Sequence, residues 1–173
     1  AKIGDAAILK EIIDIFKKEG IKTISSTFFT PELNLSRGNY SRYKADAVDR
    51  RDIKNAIKFL NKTKPYSHIQ AAVGRNNSVI LEKKEGTQSL LKNIKKQKNK
   101  NNGVLVKFPK KKQDSRIDLP TVGLDTLKQC KSAGLKGIVL KHKSNIFLDK
   151  SRTIKFANKN KLFILVKWKR LFL

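Results

Sequence analysis

At 173 residues the chain is long enough for one domain with a substantial core, or for one domain and part of another. Forty Lys and Arg against 14 Asp and Glu give a formal charge of +26, which favours an anionic partner: nucleic acid, an anionic membrane surface or a phosphorylated substrate. The single Cys130 excludes an internal disulfide, and no Cys/His spacing supports a zinc site.

A reducing cytoplasm is the natural expectation for so few thiols, no apolar run approaches a membrane span, and the N-terminus lacks a signal-peptide pattern. His68 and His142 stand apart in sequence, neither in a nucleophile or metal motif. Only eight of the 40 basic residues are Arg, and a surface rich in Lys, Asn and Ile is also what AT-rich codons produce.

In chain order, Ile8, Ile12, Ile15 and Phe16 recur at helical spacing from a first residue that is Ala, as expected of a fragment of a longer protein. Gly20 is placed to stop this helix, and a short strand over IKTISS is expected next. Pro31 to Tyr43 mixes Pro, Asn, Ser, Gly and Arg with little periodicity and reads as a linker, so a boundary near residue 44 follows. Asp46 to Leu60 predicts a second helix with Val48, Ile53, Ile57 and Leu60 inward and an Asp near its start.

HIQAAV and SVILE, separated by GRNN, suit a β-hairpin. A helix through Leu90, Leu91 and Ile94 follows EGT and dissolves into the low-complexity run KKQKNKNN. GVLVKF predicts a buried strand, Thr121 to Ala133 a helix ended by Gly134, KGIVL and NIFL strands, Lys150 to Asn158 a helix and KLFILVKW a last strand. This alternation predicts an α/β fold, a sheet with helices packed on it.

Two stretches carry groups suited to a phosphate. Glu85-Gly86-Thr87 sits ahead of a helix whose free N–H groups favour anions, although Thr87 could equally be a plain cap. The other is PKKKQDSRIDLPTVG. If extended, it sets Asp114, Arg116 and Asp118 on one face, with the two carboxylates about 13 Å apart. One Mg²⁺ holds its ligands at about 2.0–2.1 Å, so either the segment bends before Leu119-Pro120 or Asp114 alone is the ligand. Lys107, Lys110 and Arg116 would meet phosphate oxygens, Lys as a point charge and Arg by a bidentate fork. A surface loop with local ion pairs accounts for the same residues.

The series EGT, then GVLVKFPKKKQDSRIDLPTVGLDT, then AGLKGIVL and a late strand closely resembles the LpxI type of UDP-2,3-diacylglucosamine pyrophosphatase. The resemblance runs from about Gly4 to Val166 and is most specific over residues 107 to 123. It implies a catalytic C-terminal α/β domain with a mixed sheet over residues 44–173. Residues 1–43 are then the last elements of a truncated Rossmann-like domain and a linker. It further implies a Mg²⁺-dependent hydrolase that splits UDP-2,3-diacylglucosamine into UMP and 2,3-diacylglucosamine 1-phosphate, with water attacking the phosphorus nearer the sugar.

In that reading Asp114 is catalytic, with Asp114, Asp118 and Glu85 toward the metal and Lys107, Lys110, Gln113, Arg116, Thr87 and Thr121 toward the substrate. The enzyme would be cytoplasmic and peripheral to the inner membrane of a Gram-negative bacterium, with a second copy of the chain as a candidate partner. Gln88 and Lys112 depart from the family's EGTD and KPGQD, removing a carboxylate and a flexible glycine.

KLFILVKWKRLFL could anchor on an anionic surface, each Lys or Arg there contributing about 1 kcal/mol, or simply end the sheet. The rival class is a nucleic-acid binder, which pI 10.3 and KKQKNK suit. It lacks a helix-turn-helix, zinc-finger or RRM signature, so no specific nucleic acid is expected.

Overall fold

Both faces of the central sheet are apolar, and the alternation along its strands decides which helix each residue meets. A computed structural model describes residues 5–64, 68–97, 102–110 and 114–168. Six strands lie in the order β1-β8-β6-β4-β2-β3: β1 (Gly38–Asn39), β2 (Ala71–Arg75), β3 (Ser78–Leu81), β4 (Val104–Lys107), β6 (Gly137–Lys141) and β8 (Phe163–Lys167). β4, β6 and β8 are mutually parallel, and β2 runs antiparallel to both β3 and β4. A second, two-stranded parallel sheet joins β5 (Thr121–Val122) to β7 (Ile146–Phe147).

Period-two alternation sends Val104, Val106 and Val139 to one face, where they pack with Ile53, Ala56, Ile57 and Leu60 of α2 (Ala47–Lys62). Leu105, Ile138 and Leu140 point the other way. There they meet Leu90, Leu91 and Ile94 of α3 (Gly86–Lys96), Leu127 and Cys130 of α4 (Leu124–Ser132) and Ala157 of α5 (Lys150–Lys159). The result is an α/β fold of three layers around a mixed sheet, as the alternation of elements predicts.

Several boundaries follow from local chemistry. Asp46 caps α2 through a reciprocal box with Asp49. Asn76 and Asn77 both take positive φ, the signature of a type I′ turn, so GRNN closes the expected hairpin. Asp52 of α2 receives the N–H groups of both Asn residues. A Cβ at Gly74 would come within 2.4 Å of the Asp52 carbonyl oxygen, so glycine is what lets α2 lie this close to β2.

Three expectations change. IKTISS forms no strand: the chain turns into a 3₁₀ helix at Ser26–Phe28, where Ser25, Thr27 and Thr30 hydroxyls bond locally and compete with sheet pairing. Val48 is exposed, because α2 turns Asp49, Asp52 and Ile53 inward instead. Within the stretch whose composition reads as linker, Leu35 is fully buried and β1 pairs antiparallel with β8. The first helix, α1 (Asp5–Lys18), ends at Gly20 with φ +73°, where Ile21 N–H bonds Phe16 O and Gly20 N–H bonds Lys17 O. Part of KKQKNKNN and the chain's last five residues lie outside the described residues.

Candidate active site

The parallel strands and β3 all end on the same edge of the sheet, the edge where open α/β sheets bind ligands. β3 delivers Glu82 there, only 2% exposed. Its carboxylate accepts the N–H groups of Gln70 and Ala71 at 2.8 and 3.2 Å and the Thr87 hydroxyl at 2.7 Å. Gly86, at φ +82°, supplies the left-handed turn that opens α3 and leads directly into Thr87. Thr87 is therefore a partner of Glu82 rather than a helix cap; Glu85 holds the cap position without a side-chain bond and is exposed.

Lys107 closes β4 beside this carboxylate. It is buried, and its ammonium donates to the Thr121 carbonyl at 3.2 Å. Burial pushes its pKa down, and the carboxylate charges of Glu82 and Asp118 oppose that shift. Thr121 is fixed in turn by β5, whose partner β7 follows β6 in the chain.

The segment after the Lys-rich run bends. Asp114 accepts the Arg116 N–H on its side chain at 3.0 Å, and its carbonyl receives the N–H groups of Ile117 and Asp118. Of the two alternatives for QDSRID the chain takes the bent one, because this Asx turn draws Asp114 and Asp118 within one turn of each other. The Arg116 guanidinium grips Asp114 through Nε at 2.9 and 3.1 Å and Nη2 at 2.5 Å, holding the carboxyl below its ordinary range. Its fork meets a carboxylate where a phosphate contact was expected. Lys110 reaches Asp118 at 3.8 Å.

Among the sequence-derived candidates, Thr87 bonds Glu82, while Glu82, Asp118, Lys110 and the Thr121 carbonyl all act on the Lys107 ammonium; Asp114 and Arg116 form an ion pair on the same loop as Asp118; Gln113 lies outside the described residues. Glu82 is the residue that reasoning on EGT misses. A carboxylate closing the apolar run SVILE at a strand's end is the signal that could have found it. No three Asp, Glu, His or Cys side chains among the described residues converge as a metal cage. What is present, two carboxylates one turn apart, is a hard-oxygen set of the size Mg²⁺ uses when substrate phosphates complete its shell.

These features define an α/β domain with buried and exposed cations beside carboxylates at one edge of its sheet. Residues 36–165 match the family described as the LpxI C-terminal domain. The chain is 31% identical over 173 residues to the UDP-2,3-diacylglucosamine pyrophosphatase LpxI of Caulobacter vibrioides, an alignment covering 95% of this chain and 62% of that relative's length. The chain belongs to the LpxI family.

Proposed function

We propose that this chain carries the catalytic domain of a hydrolase that cleaves the pyrophosphate of UDP-2,3-diacylglucosamine, within lipid A biosynthesis. The observation that carries the reading is the meeting of Lys107, Lys110, Glu82–Thr87 and the Asp114–Asp118 turn at one sheet edge. Water adds to the phosphorus nearer the sugar, the bond from that phosphorus to the bridging oxygen breaks, and UMP leaves with the bridging oxygen. Lys107 and Lys110 stabilise charge that grows on the phosphoryl oxygens; Lys107 acts from a buried position where such charge is least screened. Asp114 orients the attacking water, and Arg116 shifts its fork from Asp114 toward a phosphate oxygen as substrate arrives. Asp118 and Asp114 would hold a Mg²⁺ bound with the pyrophosphate, which would supply Lewis-acid neutralisation of the bridging group.

The activity is assigned to the cytoplasmic side of a membrane surface. Phe28 and Phe29, 72% and 75% exposed and packed edge to face, lie close in sequence to Lys17, Lys18 and Lys22. That pairing of apolar and basic groups suits an acylated substrate at an anionic lipid surface. No helix among the described residues is long and apolar enough to cross a membrane.

Incubating the chain, in its full-length form, with UDP-2,3-diacylglucosamine and Mg²⁺ is expected to release UMP. Asp114→Asn is expected to abolish that release while the circular dichroism spectrum stays unchanged. Undiminished turnover in Asp114→Asn removes this residue from the mechanism, and absence of UMP from the unaltered chain removes the reaction.

A further inference from the structure

Two aromatic side chains stand on the same sheet edge and take no part in the phosphate chemistry above. His142 follows β6 and Trp168 follows β8, and their rings lie with centroids 3.8 Å apart at 42°. The His142 ring is held in place by a hydrogen bond that its Nδ1 accepts from the Arg37 N–H at 3.0 Å. Trp168 is 49% exposed, a large apolar plane left half open beside a polar site.

Register places this pair relative to the phosphate groups. Lys107 is aligned with Leu140, so His142 stands two residues, about 7 Å, further out along the neighbouring strand direction. β8 lies two strands from β4, so Trp168 is displaced laterally by about 10 Å. Lys141 and Lys167, aligned with each other at the ends of β6 and β8, immediately precede the two aromatic residues in the chain. A flat ring held one nucleotide's reach from a lysine-lined phosphate site matches a ligand with an aromatic base at one end and a pyrophosphate at the other.

We infer that Trp168, braced by His142, is the stacking platform for the base of a nucleoside diphosphate whose phosphates extend toward Lys107. The inference rests on the proposed hydrolysis of a UDP-sugar and adds the subsite that holds its uracil. Stacking on an aromatic side chain is tolerant of base identity, so Trp168 supplies affinity and orientation rather than discrimination among bases.

Trp168 is the sole tryptophan of the 173 residues, so its fluorescence reports on this subsite directly. Titration with UMP is expected to quench that emission saturably, whereas ribose 5-phosphate, which has the sugar and phosphate but no base, is expected to leave it unchanged. Trp168→Ala is expected to raise KM for UDP-2,3-diacylglucosamine roughly tenfold with kcat within about twofold, and Trp168→Phe to restore most of the loss. Equal responses to UMP and ribose 5-phosphate, or none to either, overturn the platform, as does an unchanged KM in a folded Trp168→Ala. Base-dependent quenching without UMP release from the substrate would keep the subsite and discard the reaction. UMP release without base-dependent quenching would do the reverse.

Discussion

Each end of the central sheet sets a lysine near a buried carboxylate, Asp49 at one and Glu82 at the other, and to opposite effect. At the end where β6 begins, Lys136 meets Asp46 at 2.5 Å and Asp49 at 3.1 Å, and Asp46 and Asp49 also cap α2. Burial works against the Lys136 charge, but the hydrogen bonds that its ammonium donates to the two carboxylates outweigh it and its pKa rises. At the end where β4 finishes, Lys107 donates to a carbonyl, Glu82 is satisfied by two N–H groups and Thr87, and Lys110 reaches Asp118 only at 3.8 Å. There burial prevails and the Lys107 pKa falls. Saturating a lysine with carboxylates makes a structural staple; holding it against a neutral carbonyl near a carboxylate preserves its capacity for an incoming anion.

The largest effect expected from this contrast is on turnover. Lys107→Ala should lower kcat for UDP-2,3-diacylglucosamine on the order of 100-fold, the scale for removing one preorganised group that stabilises transition-state charge. Lys136→Ala should leave kcat within about twofold while lowering the unfolding temperature. Steady-state UMP release and thermal melts of both variants decide it. Equal losses of activity would erase the distinction between the two ends.

Next in size is the cost of unpairing Glu82. Thr87→Val keeps the shape of the side chain and removes the hydroxyl, leaving one oxygen of a buried carboxylate without its partner. A loss of about 1–3 kcal/mol of stability in urea unfolding is expected. Glu85→Gln, at an exposed position without a side-chain bond, should change stability by less than about 0.5 kcal/mol.

A smaller effect belongs to acid. The Lys136 ammonium, with the Asp49 N–H, holds the Asp46 carboxyl down at about 2 against an ordinary 3.8. A carboxyl whose pKa is lower in the folded chain contributes stability above its unfolded value and loses it as pH falls from about 4 to 2. Melting temperatures at pH 7, 4 and 2.5 should therefore show a steeper acid decline in the unaltered chain than in Asp46→Asn. Asp46 is half exposed, so the difference should be modest.

Much of the fold could be read from residue order because its signals are local. GRNN gives a two-residue turn wherever both Asn residues accept positive φ, and the apolar runs of β4, β6 and β8 have little alternative to a doubly covered sheet. The site was less legible. The cations of residues 107–110 and the carboxylates after them are visible, but the Asx turn at Asp114 depends on a side chain bonding the backbone two residues on. An equally good local pattern can be drawn extended. The choice between Glu82 and Glu85 likewise depends on the Gly86 turn and on β2 lying alongside, and neither is written within EGT. The strand expected at IKTISS failed for a related reason: β-rich composition needs a partner, and none among the described residues lies beside it.

The smallest expected effect serves as a control on the largest. Cys130 lies in the core beneath the Lys107 end, its thiol pushed up to about 12 by burial, with the lysine's charge only partly offsetting it. In the native chain at pH 8 it should resist iodoacetamide and react only when urea is added, as mass spectrometry would show. Lys107→Ala should leave that resistance intact if the substitution removes a charge and nothing more. Native-state alkylation of Cys130 in the variant would mean that the edge had opened, and its loss of turnover would then report packing rather than a missing cation.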